Sequence, residues 1–260
     1  MSGAGGFGAD HANVLGDGVV SAESVLAAGE ALAAESARFA GFGWMPGTAG
    51  NLSITLAREP LRLAVTASGL DKGELAANDV VLVDERGEWV PDEGAAGADV
   101  SADAGAADAV VPDAGDGPAA GLTALLGLAT RPSAEAGLHA RIAAVTGAGA
   151  VIHVHALAAV RAGHEWPGGV VLHDLEMLKG IGHSAHGERV VIPVVQNHQD
   201  MRVLGDDFER VYLPRTAEVA EVPALIVASH GIYAWGADLR QARWHLELTE
   251  ALLQIALATR

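Results

Sequence analysis

The stretch Ala150-Val151-Ile152-His153-Val154-His155 is the segment around which the fold is organised. Its small and branched apolar residues predict a buried strand that carries two histidines. Because side chains on a strand alternate between its faces, His153 and His155 are expected to point the same way and to present two imidazoles together. Such a pair suits a divalent metal, since zinc lies about 2.0–2.1 Å from each ligating nitrogen.

A third histidine, His230, follows another apolar run (residues 224–227) and precedes Gly231. A histidine at the end of a strand can point into a pocket that the strand lines. Three histidines with an open fourth position are typical of a catalytic zinc site. The alternative is that these are ordinary core or surface histidines, because His-x-His is a common pattern with many chance matches. The spacing alone leaves both interpretations open.

The composition narrows the class of protein. A chain of 260 residues predicts one large domain or at most two, and the absence of cysteine excludes thiolate ligands, so a metal would need histidine and carboxylate. The net charge of −17 argues against nucleic acid as a partner. The sequence has no run of about 18 apolar residues, so no membrane span is expected, and the first residues do not resemble a signal peptide. We therefore expect a cytoplasmic protein.

The order of elements predicts the fold class. Ser21 opens a helical pattern, three short alternating strands occupy residues 52–56, 61–66 and 79–84, a further strand spans 189–195, and a long amphipathic helix covers 239–257. Closely spaced strands with short turns indicate antiparallel pairing. The pattern predicts an α+β fold, an αβα sandwich around a mainly antiparallel central sheet.

Two segments differ from the rest in composition. We predict a disordered tail at residues 1–20 and a single domain at 21–260, interrupted by a disordered acidic insert rich in Ala, Gly and Asp at about 92–130. A short helix at residues 122–128 is an open alternative within the insert. After it, Ser133 is predicted to cap a helix that has Glu135 in its first turn.

Several motifs from about residue 43 to the end resemble the class II (zinc-dependent) sugar-phosphate aldolase and epimerase superfamily, and most closely its branch of methylthioribulose-1-phosphate dehydratases. They occur in the order typical of the family, whereas the N-terminal tail and the acidic insert depart from it. The matching stretches are Gly47-Thr48-Ala49-Gly50-Asn51-Leu52-Ser53, Thr66-Ala67-Ser68-Gly69, Lys72, Pro132-Ser133-Ala134-Glu135, residues 150–155, Glu176-Met177-Leu178-Lys179, Ile192-Pro193 and residues 230–236.

The resemblance implies specific roles. His153, His155 and His230 would bind one zinc ion per subunit. The phosphate of the substrate would bind at two glycine turns and a helix start, which suits an anion because such places offer N–H groups and hydroxyls. Lys72 would add positive charge there, or it is a solvated surface lysine. The implied phosphate-binding residues are Gly50, Asn51, Ser68, Gly69, Ser133 and Lys72.

Two carboxylates compete for the acid/base role. Glu135 matches the residue that aldolases of the superfamily use as acid/base and as an extra metal contact, but it is also a plausible first-turn residue that stabilises a helix dipole. Glu176 matches the glutamate of the dehydratase branch, and we predict it as the main acid/base. An exposed helix charge is the alternative for Glu176. The remaining histidines are interpreted as structural or surface residues, with His173 the least certain.

The resemblance implies zinc-dependent dehydration of 5-methylthioribulose 1-phosphate in methionine salvage, with a small sugar phosphate as the only partner besides copies of the chain. The nearest alternative is a class II ketose-1-phosphate aldolase, which breaks a carbon–carbon bond with the same pocket. A non-catalytic scaffold with this fold is a remote alternative, because the three histidines are present. Relatives form homotetramers with the active site near a subunit interface, so a homotetramer is expected.

Overall fold

A seven-stranded sheet forms the centre of the protein in the computed structural model, which describes residues 20–90, 121–213 and 222–260. The strand order is β3-β2-β1-β4-β9-β8-β7, and every neighbouring pair is antiparallel except β7 with β8. These strands are β1 (Asn51–Arg58), β2 (Leu61–Thr66), β3 (Val80–Val83), β4 (Ala150–Val154), β7 (Val194–Val195), β8 (Ala224–Val227) and β9 (Gly231–Gly236). Strands β5 (Val170–Leu172) and β6 (Val190–Ile192) form a separate antiparallel pair.

Helices cover both faces of the sheet, which confirms the predicted α+β sandwich. The apolar residues of α1, α4 and α6 pack with alternate residues of β4 such as Ile152, whereas those of α3 and α5 pack on the other face with Val151. The helices are α1 (Ala22–Gly41), α2 (Leu122–Leu126), α3 (Ala136–Thr146), α4 (Leu157–Glu165), α5 (Met201–Tyr212) and α6 (Leu239–Ala258), with a 3-10 helix at Glu176–Ile181. Among the described residues, no helix is long and apolar enough to cross a bilayer.

The sheet register lines up three polar residues. Asn51 of β1 lies opposite His153 of β4, and His153 lies opposite Tyr233 of β9. Because directly opposed residues of antiparallel strands share a face, these side chains form one row, on the face that α3 covers. The prediction that residues 150–155 form the central buried strand is therefore confirmed for Ala150–Val154, and His155 lies just beyond its end.

The predicted helix ends are partly correct. The side chain of Ser21 caps α1 by accepting from the Ser24 backbone at 3.1 Å, as expected, and α6 buries Ala242, Leu246, Thr249 and Leu253 along one face. The start of α3 was predicted too early. Glu135, not Ser133, occupies the cap position, and its side chain makes no capping bond within the described residues.

Two other predictions need correction. The strand predicted at residues 189–195 is split at Pro193, so that β6 and β7 belong to different sheets. Proline has no N–H to donate to a ladder, so it ends one pairing where the next begins. The predicted tail and most of the predicted insert lie outside the described residues, but residues 121–130 are described and contain α2, which is the short helix left open above.

A buried acid joins α6 to α4. The carboxylate of Glu250, 2% exposed, accepts hydrogen bonds from the backbone N–H groups of Ala158 and Ala159 at 3.0 and 3.1 Å. These are orphan donors of the first turn of α4, whose own cap residue, Ala156, has no side-chain oxygen. Burial raises the pKa of Glu250, and the two backbone bonds oppose that rise. The helix that follows His155 is therefore completed by a residue from α6.

Candidate metal centre and active site

Three imidazoles converge at the end of β4. Ligand nitrogens of His153, His155 and His230 all lie within 4.8 Å of one another, and the Nε2 atoms of His153 and His155 are 3.0 Å apart. Two nitrogens bound to one zinc ion in a tetrahedral site would be about 3.3 Å apart, given the zinc–nitrogen bond length. The three side chains therefore have the donor type and spacing that a metal ion needs. They are the one such group of three or more metal-binding side chains in the described part of the chain.

The backbone explains how the two distant parts of the chain meet. His230 lies in the tight turn between β8 and β9, where Ser229 has a φ of 59° and the His230 N–H donates to the Val227 carbonyl at 3.1 Å. A Cβ atom on Gly231 would lie 2.3 Å from the Val154 carbonyl oxygen, so only glycine lets β9 come this close to β4. The pairing of β4 with β9 thus brings His230 to the histidine pair.

The protonation of His153 suits a metal ligand. Its Nδ1 atom lies 3.1 Å from the Ile232 carbonyl oxygen, which can only accept, so Nδ1 carries the proton and the lone pair is on Nε2. Burial of the fully enclosed ring lowers the pKa of His153 to about 3, while the Glu135 charge opposes the shift. A neutral imidazole with a free Nε2 is the form that binds a divalent cation.

Glu135 lies against this cluster. Its Oε1 atom is 2.9 Å from Nε2 of His230, and its Oε2 atom is 3.5 Å from Nε2 of His153. Burial acts to raise the pKa of Glu135, but the electrostatic influence of the adjacent His153 and His230 rings and the hydrogen bonds from His230 and Asn51 hold it well below its usual range. The carboxylate is therefore ionised and directed at the imidazoles, so its role is not confined to the dipole of α3.

Asn51 connects Glu135 to Ser133. Its Nδ2 atom donates to the Glu135 Oε2 atom at 2.5 Å and to the Ser133 hydroxyl oxygen at 2.9 Å. Because one amide nitrogen carries both bonds, the positions of the serine and of the carboxylate depend on each other. Ser133 accepts this bond, and its own hydroxyl proton is left to donate.

A cavity of about 170 Å³ opens beside Glu135, His155 and His230. Three short segments form the rest of its wall: the turn before β1, the turn after β2 and the residues before α3. The residues from these segments are Thr48, Ala49, Gly50, Asn51, Ala67, Ser68, Gly69, Lys72 and Ser133. All six residues predicted to bind phosphate therefore line one cavity next to the three histidines, and their binding role stays a prediction.

Lys72 is buried rather than solvated. The residue is only 1% exposed, and its Nζ atom donates hydrogen bonds to the carbonyls of Ala67 and Leu70 at 3.1 and 2.9 Å. Burial lowers the pKa of Lys72, and the charges of Asp71 and Asp79 oppose that shift. The surface-lysine alternative is wrong, and the lysine both holds the turn after β2 and brings positive charge to the cavity wall.

Glu176 is the predicted site residue that the chain does not bring to the cavity. It begins the 3-10 helix, its side chain is 72% exposed, and its carboxylate pairs with Lys179 at 2.5 Å. The hydrogen bond to Lys179 and its charge lower the pKa of Glu176. Within one chain the acid/base candidates are therefore separated, with Glu135 in the cavity and Glu176 on the surface.

Two buried residues near the centre were not among the predicted site residues. His139 of α3 is fully buried, contacts the Ser53 hydroxyl at 2.8 Å, and has its pKa lowered to about 4 by burial. Tyr233 is also fully buried, and its ring stacks on His153 with centroids 4.1 Å apart. The alternation of β9 puts Tyr233 on the same face as Trp235, but only the register with β4 shows that it lies opposite a metal-ligand candidate. His173 is exposed, as expected.

The fold and the histidine cluster define a class of proteins, and comparison with known proteins agrees. Residues 30–257 match the family model described as Class II Aldolase and Adducin N-terminal domain. The solved structure of YgbL, a putative aldolase/epimerase/decarboxylase from Escherichia coli, superposes with a TM-score of 0.63 over 91% of each chain at 18% identity. The chain belongs to the class II aldolase and adducin N-terminal domain family.

Its similar curated relatives point to one branch of that family. The chain is 31% identical over 215 residues to the methylthioribulose-1-phosphate dehydratase of Sulfurihydrogenibium sp. This alignment covers 82% of the chain and 81% of the relative. It is 34% identical over 244 residues to the methylthioribulose-1-phosphate dehydratase of Acidiphilium cryptum, covering 92% and 94% of the two chains. The resemblance found in the motifs thus extends over nearly the whole chain.

Proposed function

We propose that the protein is a zinc-dependent hydro-lyase that converts 5-methylthioribulose 1-phosphate to 2,3-diketo-5-methylthiopentyl 1-phosphate in methionine salvage. One observation carries the proposal: a single cavity is lined by two imidazoles, a carboxylate, a buried lysine and two serines, and the third imidazole, of His153, lies next to these two. A ketose phosphate needs these three kinds of group, for its carbonyl, its acidic C–H bond and its phosphate. The dehydratases of Sulfurihydrogenibium sp. and Acidiphilium cryptum support the choice of substrate.

Zinc is the metal that we propose for the centre. The donor set is three imidazoles, and the chain has no cysteine, so an open three-histidine site of the catalytic type fits the residues present. When bound, the metal supplies Lewis-acid polarisation of the carbonyl and hydroxyl oxygens of the substrate, which makes the neighbouring C–H bond more acidic. Glu135 lies close enough to His153 and His230 to add a fourth contact or to face the reacting carbons.

The phosphate would bind in the part of the cavity formed by the turns. Lys72 supplies a charge, Ser68 and Ser133 supply hydroxyl donors, and the N-terminus of α3 adds a positive dipole end. Gly50 has a φ of 82°, and a Cβ there would lie 2.9 Å from the His153 carbonyl oxygen, so this turn must be glycine to approach β4. Binding the phosphate in the same cavity as His155 and His230 would hold the reacting carbons of the substrate against the Glu135 carboxylate.

The elimination needs a base at C3 and an acid at the C4 hydroxyl. The base removes the C3 proton, the C4 hydroxyl leaves as water once it is protonated, and tautomerisation of the resulting enol gives the diketone. Among the described residues, Glu135 is the carboxylate that lines the cavity. We propose that Glu176 of the partner subunit joins it as the main acid/base, because the Glu176 side chain is 72% exposed and is held by an exposed ion pair with Lys179.

This assignment requires an oligomer, and we propose a homotetramer in which each cavity lies at a subunit boundary. A mixing experiment tests the shared site. Subunits carrying Glu176→Gln and subunits carrying His155→Ala are each expected to be inactive alone. Co-assembled one to one, about a quarter of the sites would combine an intact histidine set with an intact glutamate, so about a quarter of wild-type activity returns. No recovery in verified mixed tetramers contradicts the shared site.

Carbon–carbon cleavage is the second candidate function, and the position of Glu135 is the observation that favours it. An aldolase would use the same cavity but would break the C3–C4 bond instead of the C4–O bond. A product assay separates the two. Zinc-loaded protein is incubated with 5-methylthioribulose 1-phosphate, and the products are followed by mass spectrometry. A product one water lighter is expected, whereas two smaller carbonyl fragments would assign the protein to the aldolases.

A further inference from the structure

Tyr233 is a buried aromatic residue that contacts both the metal centre and the carboxylate beside it. Its ring and that of His153 are nearly parallel, at 18°, with centroids 4.1 Å apart, and both residues are completely buried. The preceding residue on β9, Ile232, provides the carbonyl that binds Nδ1 of His153. One strand therefore fixes both the rotation and the plane of this imidazole.

The hydroxyl group of Tyr233 is the second notable feature. It is buried and makes no hydrogen bond of normal geometry to any described residue, which is costly for a phenol unless a partner becomes available. The Glu135 carboxylate lies within interaction distance of this hydroxyl, and a phenol, with an ordinary pKa of about 10, keeps its proton at neutral pH. A protonated phenol next to an ionised carboxylate is a hydrogen-bond donor next to an acceptor.

Glu135 has a reason to need this donor. Its oxygens face Nε2 of His230 at 2.9 Å and Nε2 of His153 at 3.5 Å, and these are nitrogens that the proposed centre uses for the metal. A nitrogen that binds a metal has no proton left to donate. Among the described residues, Asn51 is then the remaining donor in contact with the carboxylate. A second hydrogen-bond donor, besides Asn51, would fix the orientation of the Glu135 carboxylate.

We propose that Tyr233 is a positioning residue with two separable actions: its ring holds the His153 imidazole in the orientation that a metal ligand would need, and its hydroxyl donates to Glu135. The inference rests on the proposed metal centre. It differs from a purely structural role, for which Trp235 is the matched example. Trp235 lies two residues along the same strand and face, is almost fully buried, and packs on Phe208 and Tyr212 instead of the histidines.

Cobalt binding tests the ring. The full-length protein is stripped of metal and titrated with Co²⁺, and visible absorption gives the dissociation constant and reports the ligand geometry. Tyr233→Leu is expected to weaken Co²⁺ binding about 10–100-fold, as loss of a group that orients a ligand does. Trp235→Leu removes a large side chain from the same face and should lower the melting temperature but keep the Co²⁺ affinity within about twofold. Equal losses of affinity in the two variants overturn the role of the ring.

Tyr233→Phe tests the hydroxyl. It should keep the Co²⁺ affinity within about twofold but change the absorption spectrum of the bound ion, and in a Glu135→Met background, which has no acceptor oxygen, it should cause no further change. A spectrum identical to that of the wild type, or an equal change without the Glu135 carboxylate, overturns this action. If the wild type itself binds no Co²⁺, the metal centre and with it the proposed function fail. If it binds Co²⁺ without dehydrating the substrate, only the proposed reaction fails.

Discussion

The cavity wall and the segment that carries Glu176 hold the same kinds of charged group in opposite surroundings. The chain has two lysines, and each lies in one of these regions beside a candidate acid/base glutamate. Lys72 is 1% exposed and bonded to two carbonyls, whereas the Lys179 side chain is 62% exposed and pairs with Glu176. Glu135 contacts Asn51 and His153, whose positions are fixed by the register of neighbouring strands. Glu176 is held by one exposed ion pair, which contributes little stability by itself.

The difference in burial between the two regions indicates what positions the residues of each region. Residues of the cavity wall are positioned by strand register and burial within one chain, so substitutions there should act in the isolated subunit. The Glu176 segment is anchored by the buried Leu178 and Ile181, but the Glu176 side chain itself is exposed, so its contribution should depend on assembly. Paired substitutions, one in each region, make this comparison testable.

The largest expected effect separates the two regions by metal content. His155→Ala should lose both bound metal and turnover, with activity down at least about 10³-fold, because an open three-histidine site cannot spare a ligand. His173→Ala, in the exposed region, should keep both. Metal content per subunit is measured by elemental mass spectrometry after gel filtration. Full metal occupancy in His155→Ala would contradict the assigned ligand set.

The two glutamates provide the next comparison. Glu135→Gln and Glu176→Gln should each retain metal and reduce kcat by about 10²–10⁴-fold, as expected for loss of a general acid or base. Of the two variants, Glu135→Gln alone should alter the Co²⁺ spectrum of a dissociated subunit. The reason is that Glu135, unlike Glu176, contacts His153 and His230 of its own chain. Near-normal turnover in Glu176→Gln would leave Glu135 as the acid/base and strengthen the aldolase alternative.

The two lysines sharpen the comparison at the phosphate. Lys72→Met should raise KM about 10–100-fold and weaken inhibition by inorganic phosphate similarly, since a charge-assisted hydrogen bond is worth about 1.5–3 kcal/mol. Lys179→Met should leave phosphate inhibition unchanged. Inhibition constants for inorganic phosphate are informative even before the substrate is established. Equal inhibition constants in the wild type and in Lys72→Met would remove Lys72 from the phosphate site.

Two glycines give the smallest effect. Gly50 and Gly182 have similar left-handed φ values, 82° and 90°, but a Cβ meets the Met45 side chain and the His153 carbonyl at Gly50 and nothing within 4 Å at Gly182. Gly182→Ala should cost only the left-handed conformation, about 1–2 kcal/mol, or a few degrees in melting temperature. Gly50→Ala should cost more and also weaken Co²⁺ binding. Equal melting temperatures would show that the turn before β1 yields easily.

Much of the fold could be predicted because its causes are local. The alternation in residues 150–154, the Ser21 cap and the amphipathic face of α6 depend on neighbours in the sequence. The split at Pro193 was missed because a run of β-branched residues does not tell which sheet each half joins. The late start of α3 was missed because Ser133 satisfies a capping pattern, while tertiary bonds to Asn51 determine its position.

The candidate site shows the same division. The motifs identify the histidines and the predicted phosphate-binding residues, and the structure brings all of them except the fully buried His153 to the wall of one cavity. The burial of Lys72, His139 and Tyr233 could not be predicted, because it depends on which strands and turns lie opposite each other. The relation of Glu176 to the cavity could not be predicted either, since a surface residue's partner need not belong to the same chain.

The shared amide nitrogen of Asn51 has a consequence for enzyme engineering. A laboratory selection for turnover of sugars without phosphate would start by altering Ser133, since it lines the cavity and is predicted to bind the phosphate. Such a change removes one of the two bonds that hold the Asn51 side chain, and so loosens Glu135 as well. Substrate range and catalytic rate are therefore linked traits in this scaffold, and broadening the first requires a compensating second mutation that secures the amide.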